Sequence, residues 1–416
     1  MSEKRVVVTG LGALTPLGNS VQAYWEGLTS GKSGANFITR FDAEKFRTRF
    51  ACEVKDFDAA TYIDRKEARR MDPYLHYAIA AVEEGVTNAG ITKEDVDYDR
   101  VGVIWASGIG GLKTFEEEVS SFARGDGTPR FNPFFIPKMI SDIAAGMISI
   151  RYGFRGPNYA TVSACASSTH ALIAGMDAIR LNRASMIVAG GSEAAVTASG
   201  VGGFNAMKAL SERNDDPLTA SRPFDLDRDG FVLGEGAGCV ILEEYEHAKA
   251  RGAHIYCELV GGGMSADAYH MTAPHPDGLG ATLVMNDALR DANMKTTDID
   301  YVNVHGTSTP LGDPQEIKAI ESVFGEHAYN INISSTKSMT GHLLGAAGAI
   351  EAIAGIKAIE NGIVPPTINH FTDDPVFDPR INLTFNKAQE RQLNAILSNT
   401  FGFGGHNASV IFRKLD

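Results

Sequence analysis

Short apolar runs rich in β-branched residues alternate with longer helical patterns along the whole chain. Runs of this length, bounded by glycine and polar residues, are typical of buried strands in α/β proteins. The pattern therefore predicts an α/β fold with mostly buried strands. The predicted strands lie at residues 5–10, 101–107, 185–191, 238–244, 255–262, 300–306, 330–337, 395–402 and 408–412.

The order of these features repeats once along the chain. "GPNYATVSACASSTHALIAGMDAIRLN" and "YNINISSTKSMTGHLLGAAGAIEAIAGIKAIENG" each run from a turn, through a β-branched stretch, into a helix rich in Ala and Gly. The match does not define a tandem repeat from one sequence. It does predict two duplicated halves, residues 1–252 and 253–416, each contributing a polar turn to one shared site.

Two glycine-rich segments need an interpretation. "TGLGALTPLG" at 9–18 approaches a dinucleotide-binding fingerprint, but its third glycine is misplaced and Pro16 interrupts the expected helix start. We therefore expect a tight turn after the first strand. The segment 261–280 predicts a long loop, and loops of that length in compact proteins are usually functional.

Charge and composition exclude some classes of function. The net charge of −13 over 416 residues argues against non-specific nucleic-acid binding. No stretch approaches the ~18 consecutive apolar residues of a membrane span, and the N-terminus lacks the apolar core of a secretory signal. The cysteines are scattered without metal-like spacing, so we expect a cytoplasmic protein with no metal or other cofactor.

One of these cysteines, Cys165, lies in "TVSACASSTHALIAG", just before an apolar segment with a helical pattern. Unpaired backbone N–H groups and the dipole at a helix start favour a thiolate over a thiol. This position favours a nucleophile. A small buried structural cysteine is the alternative.

The second half supplies three polar turns near predicted strand ends. "VNVHGTSTPLGD" contains His305, "STKSMTGHLLGAAG" contains Lys337 and His342, and "NTFGFGGHNAS" is a glycine-rich turn around Phe403. Each histidine alone could be structural. Together, in a duplicated α/β fold whose ligands bind at strand ends, the turns favour a shared site of Cys165, His305 and His342.

The motifs "VSACASS", "VHGTSTPLGD", "TKSMTGHLLGAAG" and "FGFGGHN", in this order and spacing, resemble those of β-ketoacyl-acyl-carrier-protein synthases. The resemblance covers essentially the whole chain and is strongest to the bacterial elongating type, synthase II. It implies the thiolase fold, with duplicated halves and buried mixed sheets in α/β/α/β/α layers. It also implies a 3-oxoacyl-[acyl-carrier-protein] synthase, an acyltransferase that condenses an enzyme-bound acyl chain with malonyl-carrier protein in fatty-acid elongation.

The resemblance also assigns roles to the residues of these motifs. Cys165 would hold the acyl chain as a thioester, and its backbone N–H would help to stabilise the oxyanion of the condensation step. His305 and His342 would donate hydrogen bonds to the enolate that forms when the malonyl group loses CO2. Lys337, paired with Glu351, would support this site electrostatically or act as a structural ion pair.

Further residues would contact the substrate or control its entry. The Phe403 backbone N–H would complete the oxyanion hole, and its side chain would act as a gate before the acyl pocket. Ile109 and Phe204 would line the acyl tunnel, although ordinary core packing is the alternative. Thr307 and Thr309 would hydrogen-bond the pantetheine arm, with simple turn capping as the alternative.

The implied partner is acyl carrier protein, which is acidic, so docking requires a local basic surface. Lys66, Arg69 and Arg70 fall at i, i+3 and i+4 and would share one helix face. A solvated charged face is the alternative interpretation. The resemblance also implies a homodimer. Other basic residues that could join the docking surface are Lys208, Arg124 and Arg130.

Several related functions compete with this interpretation. Chain-length factors resemble condensing enzymes but lack the active cysteine, which is present here. Thiolases need a second cysteine as a base in the region where this chain has Phe403, and chalcone-synthase-like enzymes use Asn where this chain has His342. A ketosynthase of polyketide or specialised lipid synthesis and a synthase I-type enzyme remain as alternatives.

Overall fold

The computed structural model describes residues 4–415. The strands are β1 (Val6–Leu14), β2 (Asn36–Phe37), β3 (Phe50–Ala51), β4 (Val101–Ala106), β5 (Asn158–Tyr159), β6 (Met186–Glu193), β7 (Gly236–Glu244), β8 (Cys257–Ala266), β9 (Tyr301–Asn303), β10 (Asn332–Ser334), β11 (Ile363–Val364), β12 (Gln389–Glu390), β13 (Ala395–Gly402) and β14 (His406–Arg413).

The helices are α1 (Val21–Thr29), α2 (Arg65–Ala68), α3 (Pro73–Asn88), α4 (Leu112–Arg124), α5 (Phe135–Met139), α6 (Ile143–Tyr152), α7 (Ser167–Arg180), α8 (Ala198–Ala206), α9 (Tyr245–Ala250), α10 (Leu279–Asp291), α11 (Gly312–Phe324), α12 (Lys337–Thr340) and α13 (Ala347–Asn361). Local sequence explains several boundaries. At α3, for example, Asp72 caps the first turn through the Tyr74 N–H and Pro73 takes the first helical position.

The strand order shows the duplication directly. Ten strands are hydrogen-bonded in the order β10-β9-β13-β14-β8-β1-β7-β6-β4-β5. Outward from the centre, β1-β7-β6-β4-β5 and β8-β14-β13-β9-β10 have the same topology, with two antiparallel pairs followed by two parallel pairs. The two mixed five-stranded halves meet where β1 and β8 pair at Val7↔Glu258 and Val8↔Cys257.

Helices cover both halves and fill the space between them. α3 packs on β1 and β7 on one face of the first half, and α7 packs on β6 and β4 on the opposite face. α13 lies beside α7 and contacts both β7 and β13, while α10 covers β8 and β14 on the far side of the second half. One core cluster contains buried residues of α7, α13 and strands from both halves. The result is the α/β/α/β/α layering of the thiolase fold.

All nine predicted strands are present, as β1, β4, β6, β7, β8, β9, β10, β13 and β14. The segment 330–337 is the least accurate of these predictions, because its strand ends at Ser334 and Lys337 begins the short helix α12. The chain passes from α9 to β8 around residue 252. The division into 1–252 and 253–416 stays a prediction.

The expected tight turn after the first strand is present at Thr15–Gly18, where each of the two residues donates its backbone N–H to the carbonyl oxygen of the other, but the strand before it is longer than predicted. β1 continues through Gly10 and Gly12 of "TGLGALTPLG" as far as Leu14. A Cβ on Gly12 would lie 1.9 Å from the carbonyl oxygen of Ala81 in α3. The glycines therefore let a helix approach the strand closely, rather than turning the chain.

The predicted loop at 261–280 also begins later than expected, because its first residues belong to a strand. β8 extends to Ala266, so the first six of these residues are strand. A Cβ on Gly263 would lie 2.1 Å from the carbonyl oxygen of Val284 in α10. Glycine again provides close helix–strand packing, and the loop proper begins at Asp267.

The four cysteines are free and buried. Among the described residues, no helix has both the length and the apolar character needed to cross a membrane.

Candidate active site

Cys165 lies in a 3₁₀ turn, Ala164–Ala166, that leads directly into α7. The preceding residue, Ala164, has φ +50°, in the left-handed region that a residue with a Cβ rarely adopts. Such strain costs on the order of 1–3 kcal/mol and persists where the surroundings enforce it. The strained turn holds the Cys165 side chain, which is 6% exposed, at the wall of a cavity.

Two histidines from the second half face this cysteine. Nε2 of His342 lies 2.9 Å from Sγ of Cys165. The rings of His305 and His342 are nearly perpendicular, with centroids 5.2 Å apart. One ring nitrogen of each histidine and the cysteine sulfur all lie within 4.8 Å of one another. Thiol sulfur and imidazole nitrogen are also ligands that zinc prefers, so these atoms could hold such an ion.

Both imidazoles are neutral at neutral pH. Burial lowers the pKa of His305 and of His342 well below the usual value, and the positive charge of Lys337 lowers both further. Nδ1 of each ring has no hydrogen-bond partner among the described residues. The pair can therefore present N–H groups to a substrate without carrying positive charge.

Beside the histidines lies a buried ion pair. Nζ of Lys337 contacts Oε1 of Glu351, and both side chains are almost fully excluded from solvent. Burial raises the pKa of Glu351 to about 7, and the charge of Lys337 opposes this rise. An unpaired lysine would be costly here, so the glutamate is what allows a positive charge so close to the site.

The thiol itself is protonated at neutral pH. Burial raises the pKa of Cys165 to about 12, against the opposing effects of Lys337 and the Phe403 N–H. The helix start, which favours a thiolate, does not outweigh the cost of desolvating a charged sulfur. The sulfur must lose its proton as it reacts.

A cavity of about 620 Å³ opens onto these groups. Ile109, 39% exposed, and the half-buried Phe204 form part of its wall, and Phe204 packs edge-on against Phe231 at 5.4 Å. Phe403 also lines the cavity. The remaining lining residues that the sequence pointed to are Thr307, Thr309 and Lys208.

The glycine-rich turn around Phe403 is tied to the loop that follows β8. The N–H of Gly404 donates to the carbonyl oxygen of Met271 at 2.7 Å, and the N–H of Asp267 donates to Gly405 at 2.9 Å. Asn407 Nδ2 also donates to Asp267 Oδ1 at 2.9 Å. These few hydrogen bonds make the two segments a unit at the cavity wall.

One buried residue that holds the site together is not among those predicted from the sequence. Glu316 on α11 is buried, and its two carboxylate oxygens accept the backbone N–H groups of His305 at 2.9 Å and Gly306 at 2.8 Å. These bonds fix the backbone that carries the imidazole. A glutamate on a helix face is normally interpreted as a solvated charge. In the sequence, Glu316 is marked only by its place in "GDPQE", next to the histidine motif.

The basic segment differs from its prediction. α2 is a single turn that ends at Ala68, so Arg69 and Arg70 lie in the turn that follows, and no helix face spans them and Lys66. The three side chains are exposed, and the Arg70 guanidinium lies over the Phe134 ring at 4.9 Å. The other three basic residues named in the sequence analysis are also exposed: Lys208, which lines the cavity, Arg124 and Arg130.

Comparison with family models agrees with this fold and this constellation. The model described as "Beta-ketoacyl synthase, N-terminal domain" matches residues 3–248, and "Beta-ketoacyl synthase, C-terminal domain" matches residues 256–371. The chain belongs to the β-ketoacyl synthase family, and it is an acyltransferase-type condensing enzyme.

Two named relatives show which members of this family the chain resembles in sequence. The chain is 50% identical to a 3-oxoacyl-[acyl-carrier-protein] synthase 2 of Synechocystis sp., covering 100% of this chain and 99% of the relative. It is also 50% identical to the protein of that name from Vibrio harveyi, covering 100% of both.

Two solved structures share the fold over nearly the whole chain. A β-ketoacyl synthase of Burkholderia phymatum has a TM-score of 0.92 at 35% identity, covering 99% of this chain and 100% of that one. A ketosynthase assembly described as a type II polyketide acyl-carrier protein in complex with its ketosynthase has a TM-score of 0.91 at 35% identity, with both chains fully covered.

Proposed function

We propose that this chain is a 3-oxoacyl-[acyl-carrier-protein] synthase of fatty-acid elongation. It takes an acyl chain from acyl carrier protein onto Cys165 and condenses it with malonyl-carrier protein, with loss of CO2. The observation that carries the proposal is the contact of a buried thiol with one of two neutral histidines at an apolar cavity. Full-length relatives named as such synthases support the substrate class.

In the first half-reaction, the sulfur of Cys165 attacks the thioester carbonyl of the acyl-carrier protein. A new S–C bond forms, the bond to the pantetheine sulfur breaks, and the thiol proton ends on that departing sulfur. The Nε2–H of His342, 2.9 Å away, stabilises the sulfur while it loses its proton. The charge of Lys337 and the Phe403 N–H offset part of the burial that raises the thiol pKa.

In the second half-reaction, the bond between the malonyl carboxylate and its α-carbon breaks and CO2 leaves. The electron pair moves to the thioester oxygen as an enolate, to which His305 and His342 donate N–H groups. Removing one donor of this kind typically costs about 10²–10³ in rate. No base is needed to make the carbanion, which agrees with Phe403 standing where a thiolase needs its second cysteine.

Condensation then joins the two fragments. The enolate carbon attacks the carbonyl of acyl-Cys165, and the resulting oxyanion accepts hydrogen bonds from the backbone N–H groups of Cys165 and Phe403. Gly402 packs on the first of these amides, because a Cβ there would lie 3.2 Å from the Cys165 nitrogen. Collapse of the intermediate expels the Cys165 sulfur as a thiolate, which takes up a proton from solvent, and releases 3-oxoacyl-carrier protein.

The supporting residues act through these groups. Burial keeps both imidazoles uncharged, and the positive charge of Lys337, which is paired with Glu351, adds to this effect. Phe403, whose backbone is flanked by glycines with φ +91° and +75° on its C-terminal side, acts as the gate to the acyl pocket. Ile109 and Phe204 contact the acyl chain.

Thr307 and Thr309 are placed to bind the pantetheine arm. Their hydroxyls lie 3.2 Å apart at the cavity, so each has hydrogen-bonding capacity left for a ligand amide.

The protein partner is acyl carrier protein, which docks on the exposed basic residues Lys66, Arg69, Arg70 and Lys208. The related ketosynthase described in complex with an acyl-carrier protein supports this type of partner. The enzyme works in the cytoplasm, where carrier proteins are loaded, and as a homodimer. A net charge of −13 makes docking depend on this local basic surface.

The decisive experiment offers the purified chain a series of acyl-carrier proteins from short to long and maps the added mass to a peptide. Malonyl-carrier protein is then added and 3-oxoacyl product is measured. Acylation at Cys165 followed by condensation of medium and long saturated chains is expected. Condensation only of polyketide intermediates would establish the ketosynthase alternative, and absence of any acylation would contradict the proposal.

A further inference from the structure

Glu193, the last residue of β6, is a fully buried carboxylate next to the active site that the mechanism above does not use. No basic side chain lies within ion-pair distance of it among residues 4–415. Burying an unpaired carboxylate is expensive unless hydrogen bonds replace its water. The position therefore requires a structural reason.

Backbone amides from both halves of the chain supply those hydrogen bonds. Oε1 accepts from Ser107 Oγ at 3.1 Å and from the Ile109 N–H at 3.2 Å. Oε2 accepts from the Gly108 N–H at 2.7 Å and from the Gly345 N–H at 3.0 Å. One carboxylate thus joins the loop after β4 to the turn before α13.

The duplication explains why these groups converge. The 3₁₀ turns Ala164–Ala166 and Leu344–Ala346 precede α7 and α13, and both begin with a left-handed residue, Ala164 at φ +50° and Leu344 at φ +48°. Gly345 therefore occupies in the second half the place that Cys165 occupies in the first. Glu193 ends β6 as Gly402 ends β13, which has the same length.

Equivalent groups meet in each half, but with different chemistry. Gly402 packs on the amide of Cys165, leaving that N–H for the oxyanion of a substrate, whereas Glu193 fills the equivalent place at Gly345 with a carboxyl group of the chain itself. The Gly345 N–H is therefore not available to a ligand. Glu193 acts instead as a fixed joint between two cavity-lining segments.

Both joined segments carry residues of the cavity. Ile109 lines it on one side, and Leu344, two residues after His342, lines it on the other. We propose that Glu193 is a positioning residue that holds the acyl-tunnel wall at Ile109 in register with the turn that carries His342. This inference rests on the proposed function for its link to acyl chains.

The test uses the full-length chain with Glu193→Gln. Glutamine has the same shape but one acceptor oxygen. If its NH2 faces Gly108 and Gly345, both of those hydrogen bonds are lost; if it faces Ile109 and Ser107, the Ile109 bond is lost, because the serine hydroxyl can turn to accept. Glu84→Gln is the matched control. Glu84 also accepts two backbone N–H groups, from Ala13 and Val21, but does not line the cavity.

Two measurements are made on each variant. Hydrogen exchange of peptide 105–112, which loses a hydrogen bond in either orientation, should speed up in Glu193→Gln and stay unchanged in Glu84→Gln. Exchange of peptide 341–348 should also speed up when the glutamine NH2 faces Gly345. The ratio of kcat/KM for palmitoyl- over hexanoyl-carrier protein should fall by about tenfold only in Glu193→Gln, since small displacements of positioning groups cost this much or more.

The outcomes separate this inference from the proposed function. Unchanged exchange in peptide 105–112, or a chain-length ratio equal to that of the control, overturns the role of Glu193. A wild-type chain that accepts no acyl group overturns the proposed function, while the exchange measurement still decides whether Glu193 joins the two segments. If Glu193→Gln does not fold, Glu193→Asp takes its place, because it keeps the carboxyl group on a shorter side chain. The same two measurements and the same outcomes then apply.

Discussion

Nε2 of His342 lies 2.9 Å from Sγ of Cys165, although 177 residues of chain separate them. The first prediction follows from this contact and from the neutral state of the ring. His342→Ala should lower condensation by about 10²–10³, because the enolate loses one of its two N–H donors. The measurement is 3-oxoacyl product formed per acylated enzyme, with His254→Ala, an exposed histidine outside the cavity, as control. A loss below fivefold would remove His342 from the proposed mechanism.

The thiol should react as a high-pKa group. Because burial raises the pKa of Cys165 to about 12, the thiolate fraction should rise about tenfold per pH unit through the neutral range. The rate of iodoacetamide labelling at Cys165 should therefore climb from pH 7 to pH 9 without a plateau. Lys337→Met should slow labelling at each pH, because the lysine charge lowers this pKa. A plateau near neutrality would mean that the resting sulfur is already a thiolate.

The buried pair of Lys337 and Glu351 should be far more sensitive to loss of one partner than of both. Lys337→Met leaves an unpaired buried carboxylate and should cost about 3–5 kcal/mol of unfolding free energy. The double variant with Glu351→Met should recover a large part of this loss. The measurement is the urea unfolding midpoint of each variant. Equal midpoints for the single and the double variant would contradict the prediction that the second replacement restores stability.

Adding one methyl group at Gly402 should damage condensation. Its Cβ would lie 2.6 Å from the carbonyl oxygen of Ser163 and 3.2 Å from the nitrogen of Cys165, which forces the oxyanion-hole backbone to move. We expect Gly402→Ala to lower kcat for condensation by about tenfold or more. Gly203→Ala is the control, because a Cβ there meets nothing within 4 Å. Equal activity in the two variants would show that the turn tolerates the shift.

Docking on the basic surface should depend on charge and salt. Replacing Arg69 and Arg70 together by Glu should raise KM for carrier-protein substrates by about tenfold and leave iodoacetamide labelling of Cys165 unchanged. The difference from wild type should shrink at high ionic strength. Lys32 and Lys387, two exposed residues outside the cavity lining, are replaced together by Glu as the control for total charge. An unaltered KM would exclude this surface from docking.

Much of the fold could be predicted from the sequence because its strands are buried and read as continuous apolar runs. The run at 185–191 became β6, and the run at 395–402 matches β13 residue for residue. The strand ends at the glycine-rich pieces were predicted too early for a physical reason. A glycine that admits a helix against a strand looks the same in sequence as one that turns the chain.

The active site also contains residues that could be predicted from the sequence and residues that could not. Cysteine and histidine carry reactive atoms and stand out in a motif, so their candidates could be found from the sequence. Glu193 and Glu316 act through backbone amides of residues that only the fold brings near them. No side-chain pattern records such a bond. The protonated state of Cys165 was missed because burial of a sulfur depends on every element packed around it.

The seam between β1 and β8, only two residue pairs long, has a consequence for how the two halves depend on each other. Because α7 and α13 pack against each other and against strands of both halves, a lone half would leave the apolar face of its own middle helix in water. The backbone pairing at the seam therefore contributes little to joining the halves, and the buried helices between the sheets hold the molecule together.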